Sequence, residues 1–119
     1  MRVLVCGDRN WTDRQTILHR LSAITSDEPI TIIAGGARGA DTLAVYAAQE
    51  LGYQYKEYFA DWSIGRSAGP QRNRRMLVDG QPDLVLAFHL NISQSKGTAN
   101  MIAQAKKAGI PVELIDKVM

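Results

Sequence analysis

The stretch Ile32-Ile33-Ala34-Gly35-Gly36-Ala37-Arg38-Gly39-Ala40-Asp41-Thr42 decides how the chain is read. Its apolar start predicts a buried strand, its glycines a sharp turn, and its end the first turn of a helix. Glycine lets the backbone bend tightly and lets a ligand approach bare amides. A helix start adds unbonded N–H groups and a partial positive charge, which suit an anion. The turn lacks the Lys-Ser/Thr end of a Walker loop and the Gly-x-Gly-x-x-Gly spacing of a dinucleotide fingerprint. Taken alone, it reads as well as an ordinary strand-to-helix connection.

The same alternation extends outward in both directions. Upstream, Arg2 to Gly7 is a valine-rich apolar run that predicts a first strand, followed by the polar loop Asp8-Arg9-Asn10-Trp11. Thr12 is the expected N-cap of a helix to about Ser26, with Ile17, Leu18, Leu21 and Ile24 at helical spacing. Pro29 ends that segment, and Ile30 to Ala34 is the second strand. Downstream, Gly39 to Leu51 predicts a helix with Gly52 as its stop. Tyr53 to Phe59 predicts a strand near a sheet edge, because aromatic and charged residues alternate along it. Pro70 fits the first turn of a third helix ending at Gly80. Asp83 to Phe88, the most hydrophobic strand, is expected at the centre. After the turn Lys96-Gly97-Thr98 comes a helix to about Ala108, and Ile110 to Ile115 is the last strand.

Strand and helix alternate over nearly the whole length. The expectation is therefore one α/β domain spanning 1–119, a doubly wound sheet of about five mainly parallel strands with helices on both faces. Such sheets bind ligands beyond the carboxyl ends of their strands, near the switch in strand order. Each glycine turn follows a strand and opens a helix, so all should meet on that one rim.

Composition narrows the classes. Hydrophobic residues at 45% and charged residues at 22% are ordinary for a globular protein. Net charge +2 is too small to indicate nucleic acid by itself. The single cysteine, Cys6, excludes an internal disulfide, and its apolar run makes it a core residue. The first apolar run is short and meets Asp8 and Arg9 at once, so no secretion signal is expected, nor any membrane span. Cytoplasmic localisation is the expectation. No metal-ligand spacing and no Gly-x-Ser-x-Gly elbow occurs.

Several side chains on the expected rim could carry chemistry. Arg72 stands one helical turn before Met76 and should share its sheet-facing side, which is costly unless an anion or carboxylate meets it. Arg74 points elsewhere and should be solvated, although Arg66, Arg72, Arg74 and Arg75 together also read as a basic face for nucleic acid. Asp8, Asp41 and Asp61 could hold a ribose hydroxyl or act as acid or base; Asp41 reads equally as a first-turn charge, and Asp61 as a loop turn or an ion-pair partner. Trp62 either stacks on a base or plugs its loop. Thr98 either caps its helix or donates to phosphate. His89 ends a strand at the rim, with no partner visible from sequence.

These motifs together resemble the SLOG superfamily, and within it the YspA cpYpsA-related family, found in phages and bacteria. The matching pieces are Cys6-Gly7-Asp8-Arg9-x-Trp11, Gly35-Gly36-Ala37-Arg38-Gly39-Ala40-Asp41, Ala60-Asp61-Trp62, Ala68-Gly69-Pro70-x-Arg72-Asn73-x-x-Met76 and Lys96-Gly97-Thr98-Ala99-x-Met101. The resemblance implies a Rossmann-like fold that binds a nucleotide or nucleotide-derived ligand; no cofactor is assigned beyond such a nucleotide-type ligand. The candidate ligand-binding residues are Gly7, Asp8, Arg9, Gly35, Gly36, Arg38, Gly39, Asp41, Asp61, Trp62, Arg72, Asn73, Lys96, Gly97 and Thr98; Arg72, Asp41 and Asp8 are the catalytic candidates. A related group, the LOG phosphoribohydrolases, cleaves nucleoside monophosphates with an Arg-Lys-x-x-Met helix and a Gly-Gly-x-Gly-Thr-x-Glu-Glu turn. Here Asn73 replaces the lysine, and Asn100 and Met101 replace the glutamates. Cleaving a glycosidic bond requires a carboxylate, so that activity implies one relocated to Asp8, Asp41 or Asp61. SLOG domains also occur in a single-strand DNA-binding recombination mediator, which makes nucleic acid an alternative partner; a homo-oligomer is compatible with all three readings.

Overall fold

The computed structural model describes residues 1–119. Five strands, β1 (Arg2–Gly7), β2 (Thr31–Ala34), β3 (Gln54–Glu57), β4 (Leu84–Phe88) and β5 (Val112–Ile115), alternate with four helices, α1 (Arg14–Ser22), α2 (Ala40–Leu51), α3 (Ala68–Gly80) and α4 (Gly97–Lys107). The sheet is ordered β3-β2-β1-β4-β5, and every neighbouring pair is parallel. β3 lies at the edge, as its aromatic and charged pattern indicates. β4 is paired on both sides, but β1 holds the middle. The apolar run Val3-Leu4-Val5-Cys6 is buried on both faces, which is what a central parallel strand requires.

Alternation along β1 divides the core in two. Val3 and Val5 pack with Ile17 and Leu21 of α1 and Ala44, Ala47 and Ala48 of α2. Leu4 and Cys6 pack with Met76 and Leu77 of α3 and Met101 and Ala105 of α4. Helices therefore cover both faces, and the alanine stripe of α2 lets that helix lie close on the sheet.

Three sequence expectations need correction. Trp11 belongs to the core and not to a polar loop: it is 5% exposed, and its ring meets Phe88 edge-on with centroids 5.6 Å apart. Its indole N–H donates to the Asp13 carbonyl, 2.8 Å. That contact sets the entry to α1, so Asp13, not Thr12, is the N-cap, its carboxylate accepting the Thr16 amide at 3.1 Å. Asp13→Ala should then cost about 1 kcal/mol in urea unfolding and Thr12→Ala almost nothing. Finally, α1 stops at Ser22, short of Ser26: the Ser22 hydroxyl donates back to the His19 carbonyl at 2.7 Å, and the Ile24 amide takes a tighter bond to Leu21. Elsewhere boundaries move by at most two residues, as frayed ends do.

Because order reverses about β1, the carboxyl ends of β1 and β4 part company there. Chain leaving β1 runs toward β2, and chain leaving β4 runs toward β5. The crevice outside these two ends is where open parallel sheets hold ligands. No helix is long and apolar enough to cross a membrane.

Candidate functional site at the carboxyl rim

The site is built around two adjacent residues on α3. Arg72 donates from Nη1 to the Gly35 carbonyl in the turn after β2, and its Nε donates to Asn73 Oδ1 at 3.1 Å. Asn73, 5% exposed, donates to the Gly97 carbonyl at 3.3 Å and to Asn100 Oδ1 at 3.2 Å on α4. Gln104, one turn further along α4, donates to that same Asn100 oxygen at 2.7 Å and to the Pro70 carbonyl at 3.2 Å. Two glycine turns far apart in sequence are thus tied together by consecutive side chains. Arg72 does share the sheet-facing side with Met76, which is 1% exposed, while Arg74 is solvated.

Asp41 lies on the same turn, 6% exposed, its Oδ2 accepting the Ala37 amide at 3.2 Å. Burial raises its carboxyl to about 6, outweighing the amide bonds and the Arg72 charge that oppose the shift. Burial likewise lowers the Arg72 guanidinium, and the Asp41 charge offsets part of that. A Cβ on Gly35 would fall 2.6 Å from Arg72 Nη1 and 2.9 Å from Asp41 Oδ2, so both groups crowd one glycine. Cys6 lies beneath; burial pushes its thiol up, which keeps it an inert core residue.

Around this cluster several backbone donors have no acceptor in the protein. The amides of Gly36, Arg38 and Gly39 make no hydrogen bond, nor do those of Lys96 and Gly97 at the start of α4. The Thr98 amide is taken by Ser95 Oγ at 3.0 Å, so Ser95 does the capping and Thr98 does not. The Thr98 side chain is nevertheless 6% exposed and its hydroxyl makes no protein hydrogen bond. The Phe59 ring, 62% exposed, rests on Gly36.

The remaining candidates divide clearly. Gly7 and Asp8 stand at the end of β1 beside Phe88, whose carbonyl accepts the Asp8 amide at 2.9 Å. Gly39 packs against the backbone of Asp8 and Arg9, and the Ala40 amide donates to the Asp8 carbonyl at 3.1 Å. Arg9, Arg38 and Lys96 are exposed with no carboxylate within 4.0 Å; Arg38 touches only Asn10 Oδ1, at 3.4 Å. Asp61 is turned to its own loop: Ser63 Oγ and the Ser63 amide donate to Oδ1 at 2.5 and 3.1 Å, and the hydroxyl bond is the main reason its pKa is lowered. It forms no ion pair with an arginine. Trp62 is 65% exposed, so it plugs nothing, and its ring edge reaches Gly69. Gln104 and Ser95 carry no sequence signal, and Asn100 only that of a replaced glutamate, because amide and hydroxyl side chains form no motif until their partners are known. A broad groove of about 730 Å³ lies by the amino ends of β2 and β3, lined by Met1, Arg2, Pro29, Thr31 and residues 53–56.

Fold and rim together define a parallel α/β protein of the Rossmann-like class, with these polar groups gathered at the strand carboxyl ends. Residues 1–65 match the YspA, cpYpsA-related SLOG family, and the chain belongs to that family. It is 38% identical over 119 residues to the Gene 61 protein of Mycobacterium phage D29, covering 93% of each chain. It also superimposes on DNA processing protein A (DprA) from Streptococcus pneumoniae with TM-score 0.79 and 18% identity, over 99% of this chain and 51% of that one. The chain thus spans about half the length of that protein and shares its fold.

Proposed function

We propose that this protein binds a nucleotide or nucleotide-derived ligand at the carboxyl rim, as a sensor, a sequestering protein or a nucleotide-processing enzyme. The observation that carries the reading is the bridge made by Arg72 and Asn73 between the turns at Gly35 and Gly97. It sets a partly buried guanidinium among five unbonded amides and the free Thr98 hydroxyl. A phosphate would take those donors, with Arg72 as counter-charge. Hydrolysis of the LOG kind would lack its usual carboxylates. Asn100 and Met101 stand where the two glutamates would, at the start of α4; Met101 is fully buried and Asn100 Oδ1 accepts two amide donors.

A thermal-shift panel of nucleoside monophosphates, NAD, ADP-ribose and cyclic nucleotides tests this. A ligand at 100 times its Kd adds about 2.7 kcal/mol of stability. Arg72→Ala should weaken binding roughly 10- to 100-fold. Arg72→Lys should recover little, since it keeps charge but loses the planar fork. A folded protein with no response to any of these ligands would refute the reading.

A second reading, contact with DNA, rests on the exposed cations Arg9, Arg38, Arg66 and Lys96, which have no carboxylate partner and lie on loops of this same rim. The structural neighbour named for DNA processing accords with it. Oligonucleotide affinity that falls steeply with salt, alongside silence to mononucleotides, would favour it over the first.

A further inference from the structure

His89 and Asp8 stand together at the ends of β4 and β1, the point where strand order reverses. His89 is 8% exposed, and its Nδ1 accepts the Asn91 amide at 3.0 Å. In the neutral ring that contact leaves the proton on Nε2. Nε2 makes no hydrogen bond; the nearest anionic atom is Asp8 Oδ2, 3.8 Å away. Asp8 Oδ1 is already occupied by the Asn10 amide, at 2.9 Å. An unpartnered donor on a largely buried residue and a half-buried acceptor thus face each other across a gap too wide for a direct bond.

That gap fits one hydroxyl. An oxygen about 2.8 Å from each atom would see them at roughly 85°, an angle at which it can accept from Nε2–H and donate to Oδ2. We infer that His89 and Asp8 form a hydroxyl-reading pair for the sugar of the bound ligand, selecting a sugar that carries the bridging 2′- or 3′-hydroxyl over one that lacks it. The inference rests on the nucleotide-binding reading and narrows its ligand to nucleotides whose sugar keeps that hydroxyl. It gives His89, which the sequence left without a partner, a binding role. A ligand lacking the hydroxyl leaves the Nε2 donor facing the carboxylate unbridged, and such unmet polar groups discriminate more sharply than lost contact area.

The experiment is calorimetry on the full chain with AMP, GMP, CMP and UMP, each beside its 2′-deoxy and 3′-deoxy counterparts. One deoxy series should bind on the order of tenfold more weakly. His89→Phe, which removes the donor, should bring the ribonucleotide down to the affinity of that deoxy counterpart. His89→Gln, whose amide nitrogen can stand near the Nε2 position, should restore part of the difference. If His89→Phe does not fold, the wild-type series still decides. Equal affinity for ribo and both deoxy forms overturns the pair while leaving phosphate binding intact. Absence of binding by every nucleotide overturns the nucleotide reading and this inference with it.

Discussion

Gly39→Ala is expected to destabilise the protein by about 3 kcal/mol or more, enough to prevent folding in a domain of ordinary marginal stability. Gly39 has φ +78, which L side chains adopt only under strain. A Cβ there would also fall 2.4 Å from the Asp8 carbonyl oxygen and the Arg9 carbonyl carbon. Those are backbone atoms held by the Ala40 amide and cannot swing aside. Gly52 supplies the control: it has nearly the same φ, +74, with nothing within 4 Å of its missing Cβ. Gly52→Ala should cost only about 1 kcal/mol, the price of the left-handed cap alone. Urea midpoints of the two variants separate conformation from crowding, and equal losses would refute the close approach of the β1 and β2 loops.

The second large effect belongs to Asp41. Its folded pKa of about 6 lies above the 3.8 of an unperturbed carboxyl, so the folded state holds the proton more tightly. Between those values the folded chain binds more protons than the unfolded one, and stability falls as pH rises through that window. The fall is about 3 kcal/mol for Asp41 alone, complete near pH 7. Asp41→Asn removes the titration while preserving an acceptor for the Ala37 amide. Unfolding measured at pH 4 and pH 7.5 should therefore show the wild type losing about 3 kcal/mol relative to the variant. A pH-independent difference would mean that Asp41 is not held in the dry environment seen here. Ligand phosphate placed near this carboxyl should sharpen the effect, because like charges favour the protonated form.

Part of the site was readable because it is written locally. The turn Gly35 to Asp41 declares itself through glycine and the helix start that follows, and Arg72 shares the Met76 face by simple helical spacing. Thr12 and Asp13 are both good caps by residue type, and the choice between them is made by the buried Trp11 indole. Thr98 was a candidate cap for the same reason, until Ser95 was found on its amide. Asn73 stands in a sequence motif, but its links to Asn100 and through it to Gln104 do not, since they run across two helices.

From the order of its residues alone, this protein was committed to alternating strands and helices, a parallel sheet and glycine turns at strand ends. Periodic burial and the conformational freedom of glycine act over a few residues and need no distant partner. Which strand sits in the middle, and which side chains meet at the rim, were settled only on folding. His89 and Asp8 are 81 positions apart, and Arg72 and Gly35 are 37. Their pairing depends on the reversal of strand order about β1, a property of the assembled sheet and of no segment within it.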